Sequence, residues 1–232
     1  MYKLYFFLLC AILCSSCAKR YKIEGASSVS TLDGKMLFIK VPAGGELVNV
    51  DSAEVIHGLF KMKGKVDSTV LALLYMDNSR IMPFVLEPGN ISIQIDNARI
   101  TIKGTPLNDC FNDFMTSQNS LDDRTSEVEY EESRLIMDGS YDEKKQNEIS
   151  QKRADLLEER NNLVKSFIQD NYNNALGPGI FILIANNMPF PFLTPVMEEI
   201  VDKAPDSFKD NPMIRDYITA ARSNMEKMRA MN

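Results

Sequence analysis

From Gly89 to Met115 the chain reads Gly-Asn-Ile-Ser-Ile-Gln-Ile-Asp-Asn-Ala-Arg-Ile-Thr-Ile-Lys-Gly-Thr-Pro-Leu-Asn-Asp-Cys-Phe-Asn-Asp-Phe-Met. Its first half places Ile91, Ile93, Ile95, Ile100 and Ile102 at alternate positions with polar residues between them, the period of a strand that buries one face. After Gly104-Thr105-Pro106 the spacing changes. Leu107, Cys110, Phe111, Phe114 and Met115 recur every three or four residues, the stripe of an amphipathic helix. A chain that changes period once, at a Gly-Thr-Pro punctuation, separates its strands from its helices, so the class is α+β.

Upstream of this change the pattern continues as short β-branched runs. These are Lys35 to Val41, Glu46 to Ile56, Leu59 to Gly64, Thr69 to Tyr75, Arg80 to Leu86, Asn90 to Ile95 and Arg99 to Lys103. Asp33-Gly34, Gly44-Gly45, His57-Gly58 and Pro88-Gly89 punctuate them, which predicts an antiparallel meander closing into a β-sandwich or open barrel. Downstream, the stripe extends through Leu121 and Val128 while Asp122, Asp123, Glu127, Glu129, Glu131 and Glu132 crowd the opposite side. Gly139 is placed to cap this helix, and Ser140 with Glu143 reads as a capping box for a second one carrying Ile149, Leu156, Leu157, Leu163, Val164, Phe167 and Ile168. A long helical hairpin is expected, ended by Gly177-Pro178-Gly179. Two further helices are expected to start at Thr194-Pro195 and Asn211-Pro212, each a capping side chain before a proline.

The 232 residues are 44% apolar and 25% charged, a composition able to bury a sizeable core. Twenty-six basic against 32 acidic residues give a net charge of −6, which provides no footprint for nucleic acid. One histidine, His57, and four cysteines, three of them within the first 17 residues, leave too few ligands for most metal sites and no His-based triad. No cofactor is expected.

Met1-Tyr2-Lys3, the ten apolar residues Leu4 to Leu13 and the small residues after them form a signal-peptide pattern. The apolar run is half the roughly 20 residues a membrane-spanning helix needs. Leu13-Cys14-Ser15-Ser16-Cys17-Ala18 resembles a bacterial lipobox, with Cys14 where the pattern prefers Leu. That resemblance implies cleavage before Cys17, residues 1–16 being removed, and acylation of the Cys17 thiol by fatty acids such as palmitate. A plain secretory signal cut nearby is the alternative. Two or three acyl chains hold a protein stably on a membrane. The residues that follow, Ala18-Lys19-Arg20-Tyr21-Lys22, are basic rather than acidic, which suits anionic lipid and the periplasmic face of the outer membrane.

Three segments of the strand region carry a family resemblance. Val50-Asp51-Ser52-Ala53-Glu54-Val55 leads into Gly58-Leu59-Phe60-Lys61-Met62-Lys63-Gly64; Phe84-Val85-Leu86-Glu87-Pro88-Gly89-Asn90-Ile91 follows; Ile102-Lys103-Gly104-Thr105-Pro106-Leu107-Asn108 closes the set. In order and spacing they resemble the N-terminal domain-of-unknown-function family 4369, common in lipoproteins of Bacteroidota. In many relatives a helical segment and a thioredoxin-like domain with Cys-x-x-Cys come next. Here the helical segment is present, and no Cys-x-x-Cys occurs after the signal peptide. The resemblance thus implies location and fold, without the family's disulfide chemistry.

Each candidate site has a structural alternative. Cys110 is the candidate redox thiol, since a lone cysteine in an oxidising compartment can pair externally; its place beside Phe111 and Phe114 equally fits a small buried hydrophobe. His57 fits a turn better than a base or ligand. Asp51, Ser52 and Glu54 suit a strand bend that satisfies backbone donors. Glu87-Pro88-Gly89 matches a type II turn. The run from Asp122 to Glu132 lacks the spacing of a calcium loop and reads as a solvated helix face. Phe190-Pro191-Phe192 must cover core or meet a partner. The expected organisation is a signal peptide over 1–16, a β-sandwich domain over 17–106 and a helical region over 107–232. The expected function is a non-catalytic, lipid-anchored binding or assembly module of the cell envelope, with an unknown protein or small-molecule partner. An accessory role in thiol-disulfide exchange is the alternative.

Overall fold

The computed structural model describes residues 19–230. The expected signal peptide over 1–16 and Cys17 lie outside the described residues. The chain divides into two compact units between Thr105 and Pro106.

The first unit holds eight strands: β1 Arg20–Ser27, β2 Met36–Ala43, β3 Glu46–Glu54, β4 Leu59–Lys65, β5 Val70–Met76, β6 Ser79–Leu86, β7 Gly89–Ile95 and β8 Ile100–Lys103. They form two four-stranded sheets, ordered β4-β1-β7-β8 and β3-β2-β5-β6. The alternation places Ile23, Ile91, Ile93 and Ile102 of the first sheet, and Leu37, Ile39, Leu74 and Phe84 of the second, in full burial. Each such side chain contributes about 1.5–3 kcal/mol relative to exposure. A polar contact also joins the sheets, the Tyr21 hydroxyl donating to Asp51 Oδ2 at 2.8 Å.

The connectivity departs from the expected meander. β1 is antiparallel to β4 but parallel to β7, Ile23 pairing with Met62 on one side and Ile91 on the other. The reason lies at Glu87-Pro88. β6 and β7 belong to different sheets, so this bend carries the chain across rather than folding it back as a hairpin. Gly89 accordingly has φ 133°, well beyond the value near +80° of a type II turn.

The β1–β4 ladder is built on two reciprocal glycine–aromatic pairs. Gly25 is opposite Phe60 and Tyr21 is opposite Gly64. A Cβ at Gly25 would overlap the Phe60 ring, and one at Gly64 would come within 2.5 Å of the Tyr21 hydroxyl oxygen. Each ring therefore lies flat over the facing glycine and shields its backbone, which secures the register of β4 at the sheet edge.

The second unit holds six helices: α1 Pro106–Met137, α2 Glu143–Asp170, α3 Leu176–Ala185, α4 Pro195–Lys203, α5 Asp206–Lys209 and α6 Pro212–Ala230. α1 and α2 pack as the expected hairpin around buried Leu121, Val128, Ile149 and Leu156. Gly139, at φ 68°, ends α1: its N–H donates to the Ile136 carbonyl and the Ser140 N–H to the Leu135 carbonyl, the paired bonds of a Schellman cap.

Two local expectations are corrected. The N-cap of α2 is Asp142, whose carboxylate accepts from the Lys145 N–H at 2.8 Å, while Ser140 belongs to the connecting turn. Three residues separate Asp142 from that N–H, as capping requires, whereas Ser140 is already committed to the α1 cap. Gly177-Pro178-Gly179 lies inside α3 rather than terminating α2. Pro178 falls in the first turn, where its missing N–H has no helical partner to lose. α4 and α6 begin where expected, with Thr194 and Asn211 accepting from the N–H groups of Met197 and Met213.

Placing a methyl group under either ring should unseat the β1–β4 register. Gly25→Ala and Gly64→Ala are each expected to destabilise the protein by about 1–3 kcal/mol, read as a shifted urea midpoint in circular dichroism. Ser92→Ala, on the exposed face of the same sheet, should change it by less than about 0.5 kcal/mol.

Candidate functional site

Cys110 stands one turn into α1, half-buried and free. Next to it is Asn171, the buried residue that closes α2. The Asn171 N–H donates to the Ile168 carbonyl and its side-chain amide to the Phe167 carbonyl, while its own carbonyl accepts the N–H groups of Asn174 and Gly177. Gly177 is required for this close approach, because a Cβ there would strike the Asn171 carbonyl oxygen.

Burial is the largest influence on the Cys110 thiol and raises its pKa. A hydrogen bond with Asn171 works in the opposite direction, and the carboxylates of Asp113 and Asp170 push it up again. The net shift is upward. Reactive cysteines are made by neighbouring cations or a helix's first turn; Cys110 has acids nearby and sits past the first turn of α1. The arrangement favours a protonated, packed thiol over a nucleophile.

The other candidates are dispersed. His57 is exposed at the first central position of the β3–β4 turn, with φ 51° followed by Gly58 at 72°, and reciprocal backbone bonds close the turn between Ile56 and Leu59. Positive φ at both central positions is the mark of a type I′ turn. Asp51 is engaged twice, by the Tyr21 hydroxyl and by the Ser52 N–H, and Glu54 is exposed. Burial, then the Asp51 bond and charge, raise the Tyr21 pKa strongly. Glu87 is buried at the crossover between sheets. The residues beside it make a tight corner: a Cβ at Gly89 would come within 2.7 Å of Thr105, and one at Gly104 would overlap the Asn90 carbonyl. Two of the three resembling segments therefore meet in space.

The acidic run of α1 is bound by α2. Asp122 pairs with Arg160, Glu131 with Lys152 and Glu132 with Arg153, and in the opposite sense Arg124 pairs with Glu159. Tyr141 also donates to Glu132. The Arg153 and Tyr141 hydrogen bonds hold the Glu132 carboxyl below its usual range. No group of three or more metal-ligating side chains occurs among the described residues. Phe190 is exposed, while the segment after it is fastened to α6: the Tyr217 hydroxyl donates to the Phe192 carbonyl at 2.8 Å and Asn224 to the Pro191 carbonyl at 2.9 Å.

Within the helical unit a groove of about 510 Å³ is lined by Val164, Ile168, Phe181, Ile184, Met197 and Ile200, with Arg160 at its rim. The Arg160 guanidinium is engaged by Asp122 at 2.6 Å. The feature sequence reasoning missed is in the β unit. β3 is an edge strand with no buried residue, and Leu47, Val48 and Val50 keep 44%, 46% and 45% of their surface exposed. Its strand signal was legible; its edge position, which follows from the order of the sheet, was not.

A two-sheet β unit followed by a helical unit is the class these observations define. Residues 21–111, the strands and the first turns of α1, match the family model described as "Domain of unknown function (DUF4369)". No curated protein matches the chain.

The acids around Cys110 give a checkable expectation. Alkylation of the native thiol should be slow at neutral pH and rise only above the ordinary thiol range. Asp113→Asn, at an exposed position, removes a charge that opposes ionisation and should speed labelling at pH 7 by up to about tenfold. Equal rates in both proteins would show that the thiol does not sense that carboxylate.

Proposed function

We propose that this protein is a lipid-anchored, non-catalytic binding or assembly module of the bacterial cell envelope, held through Cys17 and facing the periplasm. The lipobox-like run Leu13 to Ala18 supports the anchor, and its resemblance to lipoproteins of Bacteroidota supports the outer membrane. In relatives of this kind the DUF4369 domain precedes thioredoxin-like domains, so a neighbouring redox protein is one class of partner. Burial and the neighbouring Asp113 and Asp170 raise the pKa of Cys110, which supports a packed thiol rather than a partner in the exchange itself.

The observation that carries the binding reading is β3. A long edge strand with apolar side chains exposed along it is a template for adding another strand. Glu46, Asp51 and Glu54 give it an acidic character with no basic residue, so two copies set edge to edge in central register would place Glu46 against Glu54. The occupant that fits is an extended segment of a different protein, with alternating apolar residues and Lys or Arg among them.

Cys17→Ser should move the protein from the membrane fraction to the soluble periplasm, while Cys14→Ser should leave it attached; a Cys17→Ser protein still on the membrane would sink the anchor. A photo-cross-linking residue at Val48 should give a discrete adduct in cells, and one at Gln151 on α2 should not. Absence of an adduct from Val48, Leu47 and Val50 alike would remove β3 as the binding edge.

A further inference from the structure

The register of the first sheet gathers charge that is scattered in sequence. On its outer face Arg20 is opposite Lys65, Lys22 opposite Lys63 and Glu24 opposite Lys61, and on the far side Lys103 is opposite Ser92. All of these side chains are exposed, alternating with the buried Tyr21, Ile23, Met62 and Ile102. Six cations thus share one sheet face with a single acid, in a chain whose net charge is −6. Glu24 is taken up by Lys22 at 2.9 Å and Lys61 at 3.6 Å. Among the described residues no ion pair is formed by Arg20, Lys63, Lys65 or Lys103.

We infer that this face docks on anionic phospholipid head groups. The position of the strand in the chain supports the choice of occupant. Cys17 precedes Arg20 by three residues, which span at most about 10 Å, and the Debye length at physiological salt is about 8 Å. A β1 tethered at Cys17 therefore starts no more than about one Debye length from the membrane surface, with Lys65 paired beside Arg20 at that same end. The row is solvated, and exposed polar Asn90, Ser92 and Gln94 continue it on the same face, as suits an extended charged surface. The inference rests on the anchored reading only for the source of the anionic surface.

The test uses the full chain, purified in detergent and mixed into vesicles of phosphatidylcholine alone or of phosphatidylcholine and phosphatidylglycerol at about seven to three. Flotation reports attachment, and amine labelling read by mass spectrometry reports the face, with Lys144 and Lys203 of the helical unit as references. In the anionic vesicles Lys61, Lys63, Lys65 and Lys103 should be labelled about threefold less or lower, and high salt should abolish the difference. Lys63→Glu combined with Lys65→Glu, both at exposed positions, should remove the protection of Lys61 and Lys103. Flotation with both vesicles and equal labelling in both would overturn the docked face and leave the anchor standing. Flotation with anionic vesicles alone would support the face and remove the anchor. Flotation with neither, or protection by a soluble anionic polysaccharide but not by vesicles, would overturn the lipid assignment.

Discussion

The parallel pairing of β1 with β7 is the constraint on which the β unit depends. It ties the first described strand to one that follows after five others, and it joins β4 to the rest of the sheet, since β4 is attached solely through β1. Parallel neighbours cannot be joined by a tight turn and need a long connection; here the whole second sheet supplies it. The chain leaves β1, builds β2 and β3, returns to the first sheet for β4, builds β5 and β6, and crosses back at Glu87-Pro88. That crossing needs Gly89 and Gly104, because the corner they form admits no side chain at either position. Loop-closure entropy must be met before such non-local pairs form, so the local β2–β3 and β5–β6 hairpins are the elements that can form first.

The helical unit is organised by a different device. Its long hairpin, with helices of 32 and 28 residues, is joined by a narrow apolar cluster of Leu121, Val128, Ile149 and Leu156 with Leu135, Tyr141 and Leu163 packed against them, and by Phe114 stacked on Phe167. Exposed ion pairs contribute little individually. Their value here is specificity of register: an acidic run on α1 facing Lys152, Arg153 and Arg160 on α2 penalises a slip that would set acid against acid. At the other end, the aromatic contacts of Phe181 with Phe208 and Tyr217, and of Tyr172 with Phe208, knit α3, α5 and α6.

How much of this was legible follows from which interactions are local. The change of period at Gly104-Thr105-Pro106 is written in neighbouring residues and falls at the boundary between the units. Thr194 and Asn211 were legible as caps for the same reason, since capping joins residues two or three apart. Gly177-Pro178-Gly179 misled because a breaker and a first helical turn use the same residues, and only the Asn171 carbonyl, which excludes a Cβ at Gly177, tells them apart. The acidic face of α1 is largely exposed as expected, and its pairing with α2 was not legible because the cations are 21 to 38 residues away. Sheet order was the largest gap: nothing in the alternation of Tyr21 and Ile23 states that the neighbour of β1 is 68 residues on.

The same non-locality explains why net charge described this molecule poorly. An overall charge of −6 argues against affinity for polyanions only if the acids are free and evenly spread. In the helical unit several of them are neutralised at close range by cations of the facing helix, and such pairs project little field beyond a Debye length. In the β unit the alternation that buries one face collects the polar residues of every strand on the other, and β1, β4 and β8 each bring lysine or arginine to it. A sheet with one solvated face converts a period of two in sequence into a single charged surface in space. The field a partner meets is therefore set by strand order, and the basic face exists because β1 sits between β4 and β7.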